Sequence, residues 1–220
     1  MRARVDFAFT IAGSPRLDPM TTKFVAHIYA HPLAERSLAN QELLDALGDL
    51  PFVFRRNLYD LYPDFDIDVE AERELLESVD LIVLQHPVYW YSMPALLKLW
   101  IDEVFGLGWA YGSGGTALVG KQMLWIVTTG GDFRAYSANG PHRHPFDVFI
   151  APVRQTAHFC GMHWQEPLVI HDAHSDRAHV QDVGLALRAR LMKFAGATHA
   201  PKATPVARAQ QVDGSLSDGA

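Results

Sequence analysis

Residues 81–105 read LIVLQHPVYWYSMPALLKLWIDEVF, and they combine a short apolar run, an aromatic loop and an amphipathic segment. The run at residues 81–85 has the length of a buried strand. Apolar residues then recur three and four positions apart, at Leu96, Leu97, Trp100 and Ile101. This is the spacing of a helix, and Pro94 fits its start because a missing N–H group costs nothing there.

The same unit of a strand and a helix recurs along the chain. Apolar runs predict five strands, at residues 24–29, 52–57, 81–85, 123–128 and 163–169. Segments with helical spacing predict five helices, at residues 38–47, 69–78, 94–105, 146–160 and 174–194. Because each strand precedes a helix, we predict an α/β fold with one five-stranded parallel sheet and helices on both of its faces.

The length and composition of the chain indicate a single domain. It has 220 residues, of which 49% are hydrophobic, and this suffices for one sizeable core. We place the domain at residues 23–195, after a flexible N-terminal extension at residues 1–22. Residues 196–220 turn to Ala, Pro, Gly, Ser and Gln without apolar periodicity, which predicts a disordered tail.

Charge, hydropathy and cysteine content exclude several classes of function. The formal net charge is -6, which argues against nucleic acid as a partner. The apolar runs are far shorter than the roughly 20 residues that cross a bilayer. The single cysteine, Cys160, cannot form an internal disulfide, so we expect a protein of the reducing cytoplasm.

Eleven histidines raise the question of a metal site. Some lie close together in sequence, as in the pairs His142/His144, His158/His163 and His171/His174. A zinc site usually draws on a compact set of three or four ligands, and the one cysteine lies within a predicted helix. We therefore expect no metal.

Ligands of such sheets bind beyond the carboxyl ends of the strands. The loops after the first, third and fourth predicted strands, which we call the first, third and fourth loops, carry suitable residues. In the first loop, Ser37 is the natural N-cap of a helix whose free N–H groups could hold a phosphate. Taken alone, Ser37 is more often no more than a cap. The chain has neither the G-x-G-x-x-G nor the G-x-x-x-x-G-K-[ST] pattern here, so a dinucleotide fingerprint and a nucleoside triphosphate loop are not supported.

The other two loops carry aromatic residues and glycines. Tyr89, Trp90 and Tyr91 could pack on a flat ring, or they could close the core or a subunit interface. The segment Thr128-Thr129-Gly130-Gly131 could bring backbone N–H groups close to a ligand, or it could be only a turn. Tyr136 and His142 follow it, and together they could stabilise negative charge and relay a proton.

Five longer motifs resemble a known family. They are LYPDF at residues 61–65, QHP at 85–87, WYSMPALLKLWID at 90–102, GWAYG at 108–112 and GTAL at 115–118. In this order they resemble the flavodoxin-like NAD(P)H dehydrogenase (quinone) family, and most closely the ancillary oxidoreductases of the glutathione-regulated potassium efflux (Kef) systems. The resemblance covers about residues 24–194.

The resemblance implies a flavodoxin-like fold and a flavin site. The phosphate end of the flavin would be held by His31, Ser37, Leu38, Ala39 and Asn40. The ring system would pack on Val88, Tyr89, Trp90 and Tyr91, and its polar edge would follow Thr128, Thr129, Gly130 and Gly131. Tyr136 and His142 match a catalytic Tyr and His of the family, although this chain continues with Arg143 where the diaphorases have Gly.

The family also implies the reaction and the partners. We expect a two-electron ping-pong transfer from NAD(P)H through the flavin to a quinone, with FMN as the cofactor and FAD as the alternative. We expect a homodimer, formed in part by surplus aromatic surface at Trp100, Phe105, Trp109 and Tyr111. The alternative is a regulatory subunit, bound to a potassium/proton antiporter at the inner face of the cell membrane. A small electron carrier is less well supported, because such flavodoxins are usually strongly acidic and need no nicotinamide site.

Overall fold

A computed structural model of the chain describes residues 22–173 and 177–197. The predicted extension at residues 1–22 and the predicted tail at 196–220 lie almost wholly outside the described residues. The first residues of the last predicted helix, 174–176, also lie outside them.

Strands and helices alternate along the described chain. The strands are β1 (Val25–Tyr29), β2 (Val53–Asn57), β3 (Leu81–Pro87), β4 (Gln122–Thr128), β5 (His163–Trp164) and β6 (Leu168–Ile170). The α-helices are α1 (Leu38–Leu47), α2 (Leu58–Leu61), α3 (Val69–Ser78), α4 (Ala95–Val104), α5 (Asp147–Phe159) and α6 (Arg177–Ala195). None of the helices described here has the length and apolar character needed to cross a membrane.

All strand pairings are parallel, and the strand order is β2-β1-β3-β4-β5, with β6 also paired to β4. The predicted parallel α/β sheet is thus confirmed. It holds a sixth strand, because the run predicted at residues 163–169 is divided. Pro167 has no N–H group for the ladder. As a result His163 pairs with Gln122 at the start of β4, and Leu168 pairs with Ile126 near its end.

Two apolar layers cover the sheet. On one face α1 and α6 pack on alternate residues of the central strands, such as Val83 and Ile126. On the other face α4 and α5 pack on the intervening residues. Trp100 is 0% exposed and Phe105 is 5% exposed. The expectation that these two residues form surplus aromatic surface for a dimer was therefore wrong, because the domain's own core buries them.

Candidate functional site

The three loops that the sequence singled out meet at one edge of the sheet. Tyr29, the last residue of β1, is in register with Gln85 of β3, and Pro87 is in register with Thr128 at the end of β4. The chain runs from β1 outward to β2 and then returns to β3 on the other side. This reversal of strand order opens the crevice in which α/β sheets of this kind bind ligands.

His31 begins the first loop and lies between two tyrosines. The backbone N–H group of Leu33 donates to His31 Nδ1 at 3.0 Å, so a neutral ring carries its proton on Nε2. Burial lowers the pKa of His31, which favours that neutral ring. The ring centroid lies 6.3 Å from that of Tyr89, so the first and third loops are in contact.

Helix α1 starts at the crevice, and the predicted N-cap is confirmed. Ser37 Oγ accepts a hydrogen bond from the backbone N–H group of Asn40. Of the next two side chains, Leu38 is 57% exposed and Ala39 is buried in the core. Ala39 can therefore contribute only through its backbone N–H group, and the N–H groups in the first turn of a helix have no intrahelical acceptor.

Asn40 joins the first loop to the fourth. Its side-chain amide donates to Ser37 Oγ at 2.9 Å and to Thr128 Oγ1 at 3.0 Å. The residue is 0% exposed. Its side chain is therefore held inside the protein and supports the edge of the crevice from behind.

The third loop is a tight turn in an uncommon conformation. Tyr89 and Ser92 exchange two backbone hydrogen bonds of 3.0 Å, and the two residues between them, Trp90 and Tyr91, have φ angles of 49° and 65°. Positive φ at both central positions defines a type I′ turn, which favours Asn and Gly. Bulky residues in this region carry strain of order 1 kcal/mol or more each. The turn holds Trp90 92% exposed above the crevice.

The fourth loop follows β4, which lies on the other side of β3 from β1 and the first loop. A Cβ atom added at Gly130 would meet nothing within 4 Å, so this position faces open space. One added at Gly131 would lie 3.3 Å from His142 Nε2, so the backbone there packs closely on the imidazole. The Thr129 hydroxyl donates to the carbonyl of Gly131 at 2.8 Å and fixes the bend.

Tyr136 and His142 come together as the sequence predicted. Their rings stack with centroids 4.2 Å apart and an interplanar angle of 24°. His142 Nδ1 lies 3.4 Å from the hydroxyl of Tyr91, so this pair also touches the aromatic turn. Burial raises the pKa of Tyr136, which keeps its hydroxyl protonated and able to donate.

Sequence reasoning missed His171, which it considered only as part of a metal pair with His174. His171 Nδ1 lies 3.0 Å from the hydroxyl oxygen of Thr129, and its ring centroid is 5.2 Å from that of Tyr136. Burial lowers the pKa of His171, so the ring is neutral near pH 7. Its position directly after a strand that pairs with β4 is the signal that could have identified it.

Gly140 shapes the loop that carries this pair, and we expect Gly140→Ala to lower the free energy of unfolding by about 1–3 kcal/mol. A Cβ atom there would lie 2.3 Å from the carbonyl oxygen of Ala135, which accepts a hydrogen bond from the His142 N–H group. Urea unfolding measures the effect. Gly130→Ala is the matched control, and equal stability of the two variants would contradict this account of the loop.

Comparison with known proteins places the chain in a family. Residues 23–193 match the family described as flavodoxin-like fold. The general stress protein 14 of Treponema denticola, solved in complex with FMN, is 33% identical, with a TM-score of 0.73 over 78% of this chain and 99% of that one. An NADPH-quinone reductase from P. pentosaceus is 29% identical, with a TM-score of 0.68 over 78% and 97% of the two chains.

A third solved structure is similar over the same region. It is described as a thermophilic tryptophan halogenase from S. violaceusniger and is 38% identical, with a TM-score of 0.70 over 76% of this chain and 97% of that one. The family match spans more than half of the chain. The two relatives that are 38% and 33% identical superpose on it over 97% and 99% of their own length. The chain described here is therefore a member of the flavodoxin-like family to which NADPH-quinone reductases belong.

Proposed function

We propose that this protein is a flavin-dependent NAD(P)H:quinone oxidoreductase that uses FMN. One observation carries the proposal. A helix start, an exposed aromatic turn and a stacked Tyr136–His142 pair converge on one crevice at the switch point of the sheet. The relatives support it, since one was solved with FMN and another is named as an NADPH-quinone reductase.

The residues of the crevice fit a phosphorylated flavin. The hydroxyls of Ser37 and Thr128 each accept from Asn40, and neither donates to an acceptor among the described residues. They can thus donate to a phosphate or to another acceptor. The open space at Gly130 leaves room for a ring beside the backbone. Trp90 and Tyr91 offer aromatic faces to such a ring.

When bound, the flavin supplies the hydride acceptor and the two-electron donor that the protein itself lacks. The protein orients the reactants and stabilises charge. The turn at Trp90 and Tyr91 would position the flat reactants. Tyr136 and His142, whose rings stack on each other, would donate to the negative charge that grows on the reduced ring. His171 holds the Thr129 hydroxyl in place from behind. A single crevice of this kind would serve nicotinamide and quinone in turn.

The proposal is tested by steady-state kinetics of the FMN-loaded protein. We expect NAD(P)H oxidation that depends on a quinone, with double-reciprocal plots that stay parallel as the quinone concentration changes. Intersecting lines would overturn the alternating use of one site. Absence of any quinone-dependent turnover in yellow, folded protein would overturn the activity. Mass measurement of the extracted flavin distinguishes FMN from FAD.

The strained turn yields a separate prediction about binding. Trp90→Asn should leave stability unchanged or raise it by about 1 kcal/mol, because Asn tolerates positive φ and the lost ring is almost fully exposed. The same variant should bind FMN about tenfold more weakly, since one aromatic face is gone. Flavin fluorescence titration and urea unfolding measure the two effects.

Trp90→Phe keeps an aromatic face at the same strained position and is the control for this prediction. It should retain most of the affinity without any gain in stability. Full FMN affinity in Trp90→Asn would show that the turn does not contact the ring.

Dimerisation is also a proposal. A cleft of about 530 Å³ opens beside the turn, between α4 and α5, and it is lined largely by apolar side chains that include Tyr91, Tyr111, Phe149 and Phe159. A second copy would cover this apolar surface, and sedimentation that shows only monomer at micromolar concentration would contradict it. The antiporter partner and the membrane location stay predictions of the Kef resemblance.

A further inference from the structure

Five polar side chains beneath the crevice form a continuous hydrogen-bonded network, which packing does not explain. We call it the polar network. His27 Nε2 lies 2.9 Å from Gln85 Oε1, and Gln85 Nε2 donates to Asn40 Oδ1 at 3.0 Å. Asn40 Nδ2 then donates to the hydroxyls of Ser37 and Thr128. His27, Gln85 and Asn40 are 0% exposed, so the hydrogen bonds of the polar network are sheltered from water.

The backbone carbonyl group of Asn40 fixes the direction of donation along the polar network. The Gln85 side-chain atom that faces Asn40 also lies 3.5 Å from the Asn40 carbonyl oxygen, which can only accept, so this atom is the amide nitrogen. Gln85 Oε1 must then accept from His27 Nε2–H. Burial lowers the pKa of His27 to about 4, so its ring is neutral and its other nitrogen, Nδ1, carries only a lone pair.

This direction determines what the hydroxyls of Ser37 and Thr128, at the end of the polar network, can offer to a ligand. Ser37 Oγ accepts from both the backbone and the side chain of Asn40, which occupies its lone pairs. Thr128 Oγ1 accepts from the same amide nitrogen. Ser37 Oγ is thereby left with only its proton to offer, while Thr128 Oγ1 keeps its proton and one lone pair. Both residues lie at the edge of the crevice, Ser37 at the start of α1 and Thr128 at the end of β4.

We propose that Asn40 is a positioning residue that turns the hydroxyl protons of Ser37 and Thr128 away from its own amide group, so that the site selects flavins by their phosphate, a pure acceptor. The inference rests on the proposed flavin site. Asn40 reaches the ligand only through the two hydroxyls. A free helix N-terminus would attract anions in general, whereas two oriented hydroxyl donors add a fixed geometry.

The test compares FMN with riboflavin, which lacks the phosphate, by fluorescence titration of purified full-length protein freed of flavin. Asn40→Asp keeps the shape of the side chain but offers only acceptors, so both hydroxyls turn their protons inward. We expect the preference for FMN over riboflavin to fall at least tenfold, while riboflavin affinity changes by less than about threefold.

A double-mutant cycle separates this role from direct contact or charge repulsion. In a Ser37→Ala/Thr128→Val background, Asn40→Asp should change the preference for FMN by less than about twofold, because the groups through which it acts are gone. An equal loss in both backgrounds would overturn the inference. Asn40→Ala serves the same cycle should the aspartate variant fail to fold.

The outcomes also distinguish this inference from the proposed function. Wild-type protein that binds neither flavin would overturn both. Protein that binds FMN, reduces quinones and keeps its preference for phosphate in Asn40→Asp would overturn the positioning role alone. Addition of inorganic phosphate should lower FMN affinity in the wild type and have little effect on riboflavin binding.

Discussion

Replacement of His142 by alanine should slow reduction of the bound flavin by NAD(P)H about a hundredfold, as is typical for the loss of a positioned donor. His142 stacks on Tyr136 and contacts the Tyr91 hydroxyl, so its removal takes away one donor and loosens a second. Tyr136→Phe removes only a hydroxyl, and we expect a smaller loss, about tenfold. Anaerobic stopped-flow absorbance measures both rates directly.

The loop offers a matched control for this experiment. His144 is exposed and lies two positions further along the same loop. His144→Ala should reduce the flavin at the wild-type rate. Unchanged rates in both His142→Ala and Tyr136→Phe would remove the stacked pair from the reaction and leave it a structural role only.

Acid should destabilise the fold well above the pH at which carboxylates protonate. Burial lowers the pKa of both His27 and His86 from the ordinary 6.5 to about 4. Above pH 6.5 these rings are neutral in both states and have no effect on stability. As the pH falls from 6.5 towards 4, only the unfolded chain takes up their protons, so stability is lost across that window. The loss at about pH 5 is roughly 2 kcal/mol for each histidine.

Denaturant unfolding at neutral and acid pH, with a single variant, checks this prediction. His27→Gln removes one of the two titrating groups, so the loss of unfolding free energy on acidification should shrink by about 2 kcal/mol. The exposed His163 is the control, since its replacement should leave the pH dependence unchanged. A parallel pH dependence in His27→Gln and the wild type would show that His27 is not buried in its neutral form.

Much of the fold could be predicted because its signals are local. Helices α1 and α3 begin and end where the apolar spacing predicts, and the core strands differ from prediction by at most two residues at either end. The interruption at Pro167 was missed because the apolar residues around it resemble one continuous run. Helix α2 has only four residues, too few for a period to be read.

The site was predictable as a set of loops but not as a set of contacts. The glycines, aromatic residues and Ser37 lie at strand ends and helix starts, which sequence patterns reveal. The hydrogen bond from Asn40 to Thr128 joins positions 88 residues apart, and no local pattern predicts such a pair. The same holds for His86, which accepts from the Trp125 indole at 2.7 Å beneath the aromatic loop.

In the proposed function, a phosphorylated flavin occupies the crevice formed by the first, third and fourth loops. The most direct test is thermal unfolding of the flavin-free protein with and without a hundredfold excess of FMN over its dissociation constant. The account predicts stabilisation of about 2.7 kcal/mol, a rise in unfolding temperature, and visible flavin absorbance that stays with the protein through gel filtration. Colourless protein whose unfolding temperature does not respond to FMN would contradict it.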